Sequence, residues 1–330
     1  MAGRQFAGCR RGEVNAPAVN EIRNVGDFDL MTNTIAAQAL KLGFIGLNVA
    51  HPDEMRSYYQ DVVGLPLTAT VGRDCFFSCG SEHHAVSLHV GDRPGFCHVG
   101  LQIAGEGPLD DALAALSAQG VKARLLRDHI PGFPHCIAIT DLDGYTVYLY
   151  RTAEPAAAPY SGGGIGPVKL GHLALYVRDP QAAYAFYSGL LGFRWSDWVE
   201  DKFVFMRCGA DHHTLNFLRS DKRGLFHFAF QLRDWAHIGA ACDFLARNKI
   251  KLFCGPGRHG LGHNLYLYHH DPDRNIVEMF ADMDVMSNEA QGYFDPRPHH
   301  EDFPQRPKVW PDAPETGDIW GVPVPPGFLD

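Results

Sequence analysis

The chain has 330 residues, a formal net charge of −9 and an ordinary globular composition, 45% hydrophobic and 20% charged. It has no long basic run, which argues against nucleic-acid binding, and no apolar stretch approaching the ~20 residues a membrane helix needs. Eight cysteines without a CxxC pair suit a reducing compartment; the opening MAGRQFAGCRRGEV lacks the apolar core of a signal peptide, so a cytoplasmic protein is expected.

Taken in chain order, residues 1–37 show little periodic pattern and are expected to form an N-terminal extension. A first module is expected over 38–152. Its stretch LGFIGLNVAHPDEMRSYYQDVVGL (42–65) predicts a strand, a Pro near a helix start, a helix with paired aromatics and a Gly at its end. Further strands follow, with a second helix expected near 108–119. EPAAAPYSGGGIGP (154–167) has linker composition, which sets a linker over 153–168. A second module over 169–284 repeats the layout, beginning LGHLALYVRDPQAAYAFYSGLLGF (170–193), with its second helix expected near 234–247. The tail, 285–330, is rich in Pro, Trp, Phe and His. Its aromatics argue against plain disorder and predict an extended segment packed over the second module.

Three further blocks match between the halves. CGSEHHAVSL (79–88) pairs with CGADHHTLNF (208–217), CHVGLQI (97–103) with FHFAFQL (226–232), and DLDGYTVYLY (141–150) with DPDRNIVEMF (271–280). Matched blocks at a nearly constant offset indicate an internal duplication. The second copy carries His172, His227 and Glu278 where the first has Phe44, His98 and Tyr148, at offsets of 128, 129 and 130 (172 − 44, 227 − 98, 278 − 148).

Two imidazoles and one carboxylate are the ligand set of a non-haem iron(II) site with open coordination positions. Strand alternation puts His172, Ala174 and Tyr176 on one face, and Leu173, Leu175 and Val177 on the other. The same rule sets His227 and Ala229 opposite Phe226, Phe228 and Phe230, and Glu278 opposite Val277 and Met279. A polar group amid such strands needs a partner, and one shared metal satisfies all three. A single strand His is ordinarily a hydrogen-bonded core residue; two His and one Glu, with two of the three replaced in the repeat, favour a metal.

His213 in DHHTLNF is a candidate acid–base group, with the adjacent His212 the weaker candidate. His259 lies in the Gly-rich loop GPGRHGLGH, and Tyr268 could offer its phenol to a substrate oxygen. His263, His269, His270, His299 and His300 read as ordinary loop, surface or tail residues.

With these residues in place, the chain resembles the type I extradiol ring-cleavage dioxygenases of the vicinal oxygen chelate superfamily. The resemblance spans about residues 40–284 and rests on RHGLGHNLYLYHHDPDRNIVE: a loop His (His259), an aliphatic–Tyr pair (Leu267, Tyr268), an Asp-Pro turn (Asp271, Pro272) and the ligand Glu278. It implies an α+β fold of tandem βαβββ modules, two per domain, with a metal inside the second domain.

The resemblance implies Fe(II), or Mn(II), held by His172, His227 and Glu278, with cleavage of a catechol-type diol beside its hydroxyls by O2 to a hydroxymuconic semialdehyde-type product. His213 would stabilise the developing oxygen anion and supply a proton, Tyr268 would hydrogen-bond the substrate, and His259 would orient it. It also implies a homo-oligomer. Phe205, Trp198, His212 and Arg258 are candidate substrate contacts. Arg297 and Arg306 are candidates for an acidic substituent, or simply solvated tail charges.

One departure is Arg274, where the family usually has Gly and the first module keeps Gly144; a left-handed turn there would cost Arg ~1 kcal/mol. The first module retains His84, His98 and His129 without a triad and reads as a structural relic. Two alternatives stand beside the dioxygenase. One is another metalloenzyme on this fold, such as a glyoxalase-like isomerase or a keto-acid-dependent hydroxylase, which needs no set of His213, His259 and Tyr268. The other is a metal-free binder of small aromatics, which needs no triad.

Overall fold

The computed structural model describes residues 34–156 and 162–328. The extension expected over 1–37 lies almost wholly outside the described residues, as does part of the expected linker.

The first half runs β1 (Ala39–Val49), α1 (Pro52–Ser57) continued by a π-helical turn (Tyr58–Val63), β2 (Leu67–Val71), β3 (Asp74–Phe77) and β4 (Val86–Val90). It continues with β5 (Gly95–Ile103), α2 (Asp110–Ala118), β6 (Arg124–Ile130), β7 (Phe133–Thr140) and β8 (Thr146–Tyr150). That is βαβββ twice, in one sheet of order β2-β3-β4-β1-β5-β8-β7-β6. Within each repeat the first and last strands pair parallel, and β1 and β5 join the repeats antiparallel.

The second half repeats this with β9 (Lys169–Val177), α3 (Pro180–Leu191), β10 (Arg194–Val199), β11 (Phe203–Arg207), β12 (Leu215–Arg219), β13 (Gly224–Gln231), α4 (Trp235–Arg247), β14 (Leu252–Arg258), β15 (Leu265–His270) and β16 (Ile276–Ala281). The tail adds β17 (Lys308–Trp310), parallel to β10 at the sheet edge.

Local chemistry explains the boundaries. The Asp179 side chain accepts hydrogen bonds from the amides of Gln181 and Ala182, capping α3 ahead of Pro180. Gly192, at φ +70°, ends it in the left-handed conformation. The Asp-Pro turn before β16 adopts that conformation at Arg274 (φ +71°), as its counterpart does at Gly144 (φ +83°). The strain implied by Arg at this position is therefore present.

One continuous core contains Leu173, Leu175 and Val177 from β9 with Phe217, Phe228 and Met279, and runs into the first half through Leu47, Leu101 and Val147. Ala174 and Tyr176 belong to a separate cluster with Tyr268 on the opposite face of the second sheet. The halves are tied crosswise. The Tyr187 hydroxyl of α3 donates to Asp141 Oδ2 at 3.0 Å, and its repeat mate Tyr59 donates to Asp271 Oδ2 at 3.4 Å.

In the first half, the position matching the triad is filled by rings. Phe44 packs 4.5 Å from Phe133 and 5.0 Å from His84, with Tyr148 and Tyr150 alongside. No helix among the described residues is long and apolar enough to cross a membrane.

Candidate metal centre

Three adjacent strands, β16, β13 and β9, build the centre. Ala229 on β13 lies opposite both Glu278 on β16 and His172 on β9. His227 sits two residues before Ala229, so alternation sends its ring to the same face. The small Ala229 side chain leaves the space between the flanking groups open. His172 Nε2 lies 2.9 Å from Glu278 Oε2; His227 Nε2 lies 3.2 Å from that oxygen and 3.3 Å from His172 Nε2. All three residues are buried. Gly171 permits the approach, because a Cβ there would meet the Phe280 ring at 2.4 Å, and that ring packs on His172.

Burial alone would raise the Glu278 carboxyl, but the His172 and His227 imidazoles outweigh it and hold it well below the usual carboxylate range. Burial pushes the His227 imidazole down. Two imidazole nitrogens aimed at one carboxylate oxygen leave more lone pairs than one shared proton can satisfy. A cation bound by all three satisfies them, and the donor set is one that suits iron or manganese. The outward Nδ1 atoms of both rings are buried without a hydrogen-bond partner, so ring packing sets their orientation. Asn264 Nδ2 donates to Glu278 Oε1 at 3.0 Å and fixes the carboxylate plane.

The centre opens into a cavity of about 380 Å³ lined by His172, His213, His227, His259, Tyr268 and Glu278, with Phe205, Leu261 and Phe328 among its apolar walls. The His213 ring lies 4.3 Å from that of His172. Behind it runs a relay. His213 Nδ1 is 3.0 Å from His212 Nδ1, and His212 Nε2 is 3.0 Å from Asp197 Oδ2. Asp197 Oδ2 accepts from His212 Nε2–H, and in the tautomer that continues this chain His212 Nδ1 accepts from His213 Nδ1–H. This leaves the lone pair of His213 at Nε2. Burial, reinforced by His172 and His212, holds His213 well below the usual imidazole range, so it is neutral.

His259 Nδ1 donates to the Gly317 carbonyl at 2.6 Å, and its Nε2 accepts from the Tyr268 hydroxyl at 3.0 Å. Its ring stacks 3.9 Å from Tyr266. Burial and the Glu278 charge raise the Tyr268 phenol well above its ordinary value, so it remains a neutral donor.

Several expected contacts lie elsewhere. Trp198 belongs to the core, with its ring edge-on to Tyr184, because on β10 it is Val199 that faces the cavity. His212 stands behind His213 against Phe294. The Arg258 guanidinium is spent on the His263 carbonyl and Asp282. Arg297 pairs with Asp282, and Arg306 bonds the Gly292 carbonyl, so neither lines the cavity.

Phe226, expected opposite His227, lines the cavity beside it. A bulge between the Leu225–Leu175 and His227–Ala174 pairs breaks the alternation. Asn216, unnoticed in the sequence, also lines the cavity, with both amide atoms buried and unpartnered. A polar residue in the apolar strand LNFLR was its signal. The tail residues Pro314, Thr316 and Phe328 complete the lining.

A model described as the Glyoxalase/Bleomycin resistance protein/Dioxygenase superfamily matches residues 41–149 and 169–279. Metapyrocatechase of a Pseudomonas species is 26% identical over 270 residues, spanning 73% of this chain and 86% of that one. The 3-methylcatechol 2,3-dioxygenase of Pseudomonas putida is 28% identical over 259 residues, spanning 72% and 88%. The crystal structure of homoprotocatechuate 2,3-dioxygenase from Arthrobacter globiformis superposes with a TM-score of 0.77 at 20% identity, over 90% of this chain and 92% of that one, a likeness of fold.

Proposed function

The chain belongs to the Glyoxalase/Bleomycin resistance protein/Dioxygenase superfamily, and on that premise we propose that it is an extradiol dioxygenase, cleaving a catechol-type diol with O2 beside its hydroxyls in the breakdown of aromatic compounds. The observation that carries this reading is the convergence of His172 Nε2, His227 Nε2 and Glu278 Oε2 within 3.3 Å at the floor of an aromatic cavity. These three residues would hold Fe(II), with Mn(II) the alternative. When bound, the ion supplies a Lewis acid that lowers the pKa of a catechol hydroxyl and brings diol and O2 together.

The side chains around it divide the remaining work. His213 Nε2 receives the hydroxyl proton and returns it to oxygen as the ring opens, while the relay through His212 to Asp197 holds its tautomer. Tyr268 turns its hydroxyl from His259 Nε2 toward a substrate oxygen, and His259 is kept in place by the Gly317 carbonyl. Phe205, Phe226 and Phe328 flank the substrate ring and exclude water. Lys202 on the rim is paired with Asp312, so the wall offers an acidic substituent no free cation among its described residues. This favours catechols with neutral substituents. The unpaired cysteines among the described residues suit a reducing compartment, and we take the protein to act in the cytoplasm as a homo-oligomer.

The test is a panel of catechols, neutral and carboxylated, given to the iron-loaded protein in air. Oxygen uptake equal to the yellow ring-opened product, with higher kcat/KM for neutral diols, is expected. Full metal content without oxygen uptake on any diol would move the assignment to an isomerase of the same superfamily.

A further inference from the structure

A second cluster of metal-ligating side chains lies outside the cavity. His263 comes from the loop between β14 and β15, Asp284 follows β16, and His299 and His300 come from the tail. Their ligand atoms all lie within 4.8 Å of one another. Asp284 Oδ2 is 2.8 Å from His263 Nδ1; Oδ1 is 2.8 Å from His300 Nε2 and 3.6 Å from His299 Nε2.

The carboxylate is nearly sealed from solvent at 1% exposure. Its backbone is fixed on both sides, since its amide donates to the Gly262 carbonyl and its carbonyl accepts from the His212 amide. His263 holds its ring toward it from a left-handed backbone at φ +47°, an uncommon conformation for a residue with a Cβ. None of the four residues lines the catalytic cavity.

Hydrogen bonding alone accounts for this arrangement poorly. The Nε2 atom of His299 is buried, points at the cluster and has no hydrogen-bond partner. Neutral imidazoles can donate to Asp284 from His263 Nδ1 and His300 Nε2, and that leaves His299 Nε2 as the nitrogen the carboxylate does not satisfy. Three imidazole nitrogens and one carboxylate oxygen instead make a complete tetrahedral shell for a zinc-type cation, in which bonds of ~2.0–2.1 Å put ligand atoms about 3.3 Å apart. Each imidazole nitrogen lies 2.8–3.6 Å from its nearer Asp284 oxygen, Oδ2 for His263 and Oδ1 for His299 and His300, and one ligand atom from each of the four residues falls within 4.8 Å of the others.

We propose that His263, Asp284, His299 and His300 form a second, structural metal site that takes a divalent cation of the zinc class and clamps the C-terminal tail onto the second domain. Four protein ligands leave no open position, as in structural rather than catalytic zinc sites. Two ligands belong to the domain body and two to the tail. The tail then runs on through β17 to Pro314, Thr316 and Phe328, which line the cavity, so the clamp fixes the path of the segment that completes its wall. The proposal is independent of the triad's chemistry.

The test uses the full-length chain loaded anaerobically with Fe(II), then given Zn(II) and desalted, with iron and zinc counted separately. About one zinc per chain is expected in the wild type. His300→Ala and the milder His299→Gln should lose the zinc while keeping the iron of the wild type. Co(II) in place of zinc should give the intense visible bands of a four-coordinate ion, absent in both variants. Chelation should speed proteolysis within the tail of the wild type and change nothing in His300→Ala. A wild type that retains no zinc, or zinc retained equally by both tail variants, would overturn the proposal. Neither outcome depends on whether any diol is cleaved.

Discussion

A buried imidazole takes its chemical role from what holds its far nitrogen. For His213 that is His212, itself oriented by Asp197, and the proposed acid–base role uses the tautomer in which His213 donates from Nδ1 and keeps its lone pair at Nε2. The sequence shows His213 as an interesting residue; it cannot show the relay, because Asp197 and His212 are brought together only when β10 and the segment before β12 lie side by side. His213→Ala is expected to keep the wild-type iron content while kcat falls by about 10²–10⁴-fold, the usual worth of a positioned acid–base group. Steady-state kinetics with parallel metal analysis measures both. The triad itself was legible because its residues break apolar strands and two of the three are replaced in the repeat. Asn216 likewise breaks an apolar strand and faces the cavity. At His263, His299 and His300 no signal existed, since loop and tail histidines meet only through the fold.

Among the elements, strand alternation located most inward-facing side chains correctly and failed at one place. Phe226 turns to the cavity because β13 carries a bulge between Leu225 and His227, and no residue type in GLFHFAFQ announces it. The Asp-Pro turns carry a different lesson. Each serves its own module and also receives a Tyr hydroxyl from the helix of the other. Asp271 is buried, and burial lifts its carboxyl from 3.8 to about 6 against the hydrogen bonds from Asn275. Between those values the folded state keeps a proton that the unfolded chain has lost, so this group's contribution to stability falls as pH rises through the window and levels off above pH 6. Its size is at most about 3 kcal/mol, from two pKa steps of 1.36 kcal/mol each. Asp271→Asn retains an acceptor for the Asn275 amide and removes the ionisation. Denaturant unfolding at pH 4 and pH 7 should therefore show the variant losing less stability than the wild type between the two. An equal loss in both proteins would show that Asp271 does not titrate in this range.

Across the whole molecule, duplication explains both the architecture and its asymmetry. Two copies of one layout bury a continuous core between them, and the paired Tyr–Asp bonds at Tyr187–Asp141 and Tyr59–Asp271 repeat with the same offset as the sequence blocks. One copy fills its centre with Phe44, Phe133 and Tyr150; the other keeps an open centre and takes part of its lining from the tail. The matched blocks made the two-copy layout readable. The tail's course was not readable in detail, because its few β17 bonds and its seat over the cavity depend on surfaces made by the folded second domain. What this architecture is for rests on the triad, and the most direct measurement is the iron content and catechol-dependent oxygen uptake of anaerobically purified wild type and Glu278→Ala. About one iron per chain with rapid uptake in the wild type, and loss of both in the variant with its fold intact by circular dichroism, is the expected result. A Glu278→Ala protein that kept full iron and full oxygen uptake would contradict the assignment of this centre.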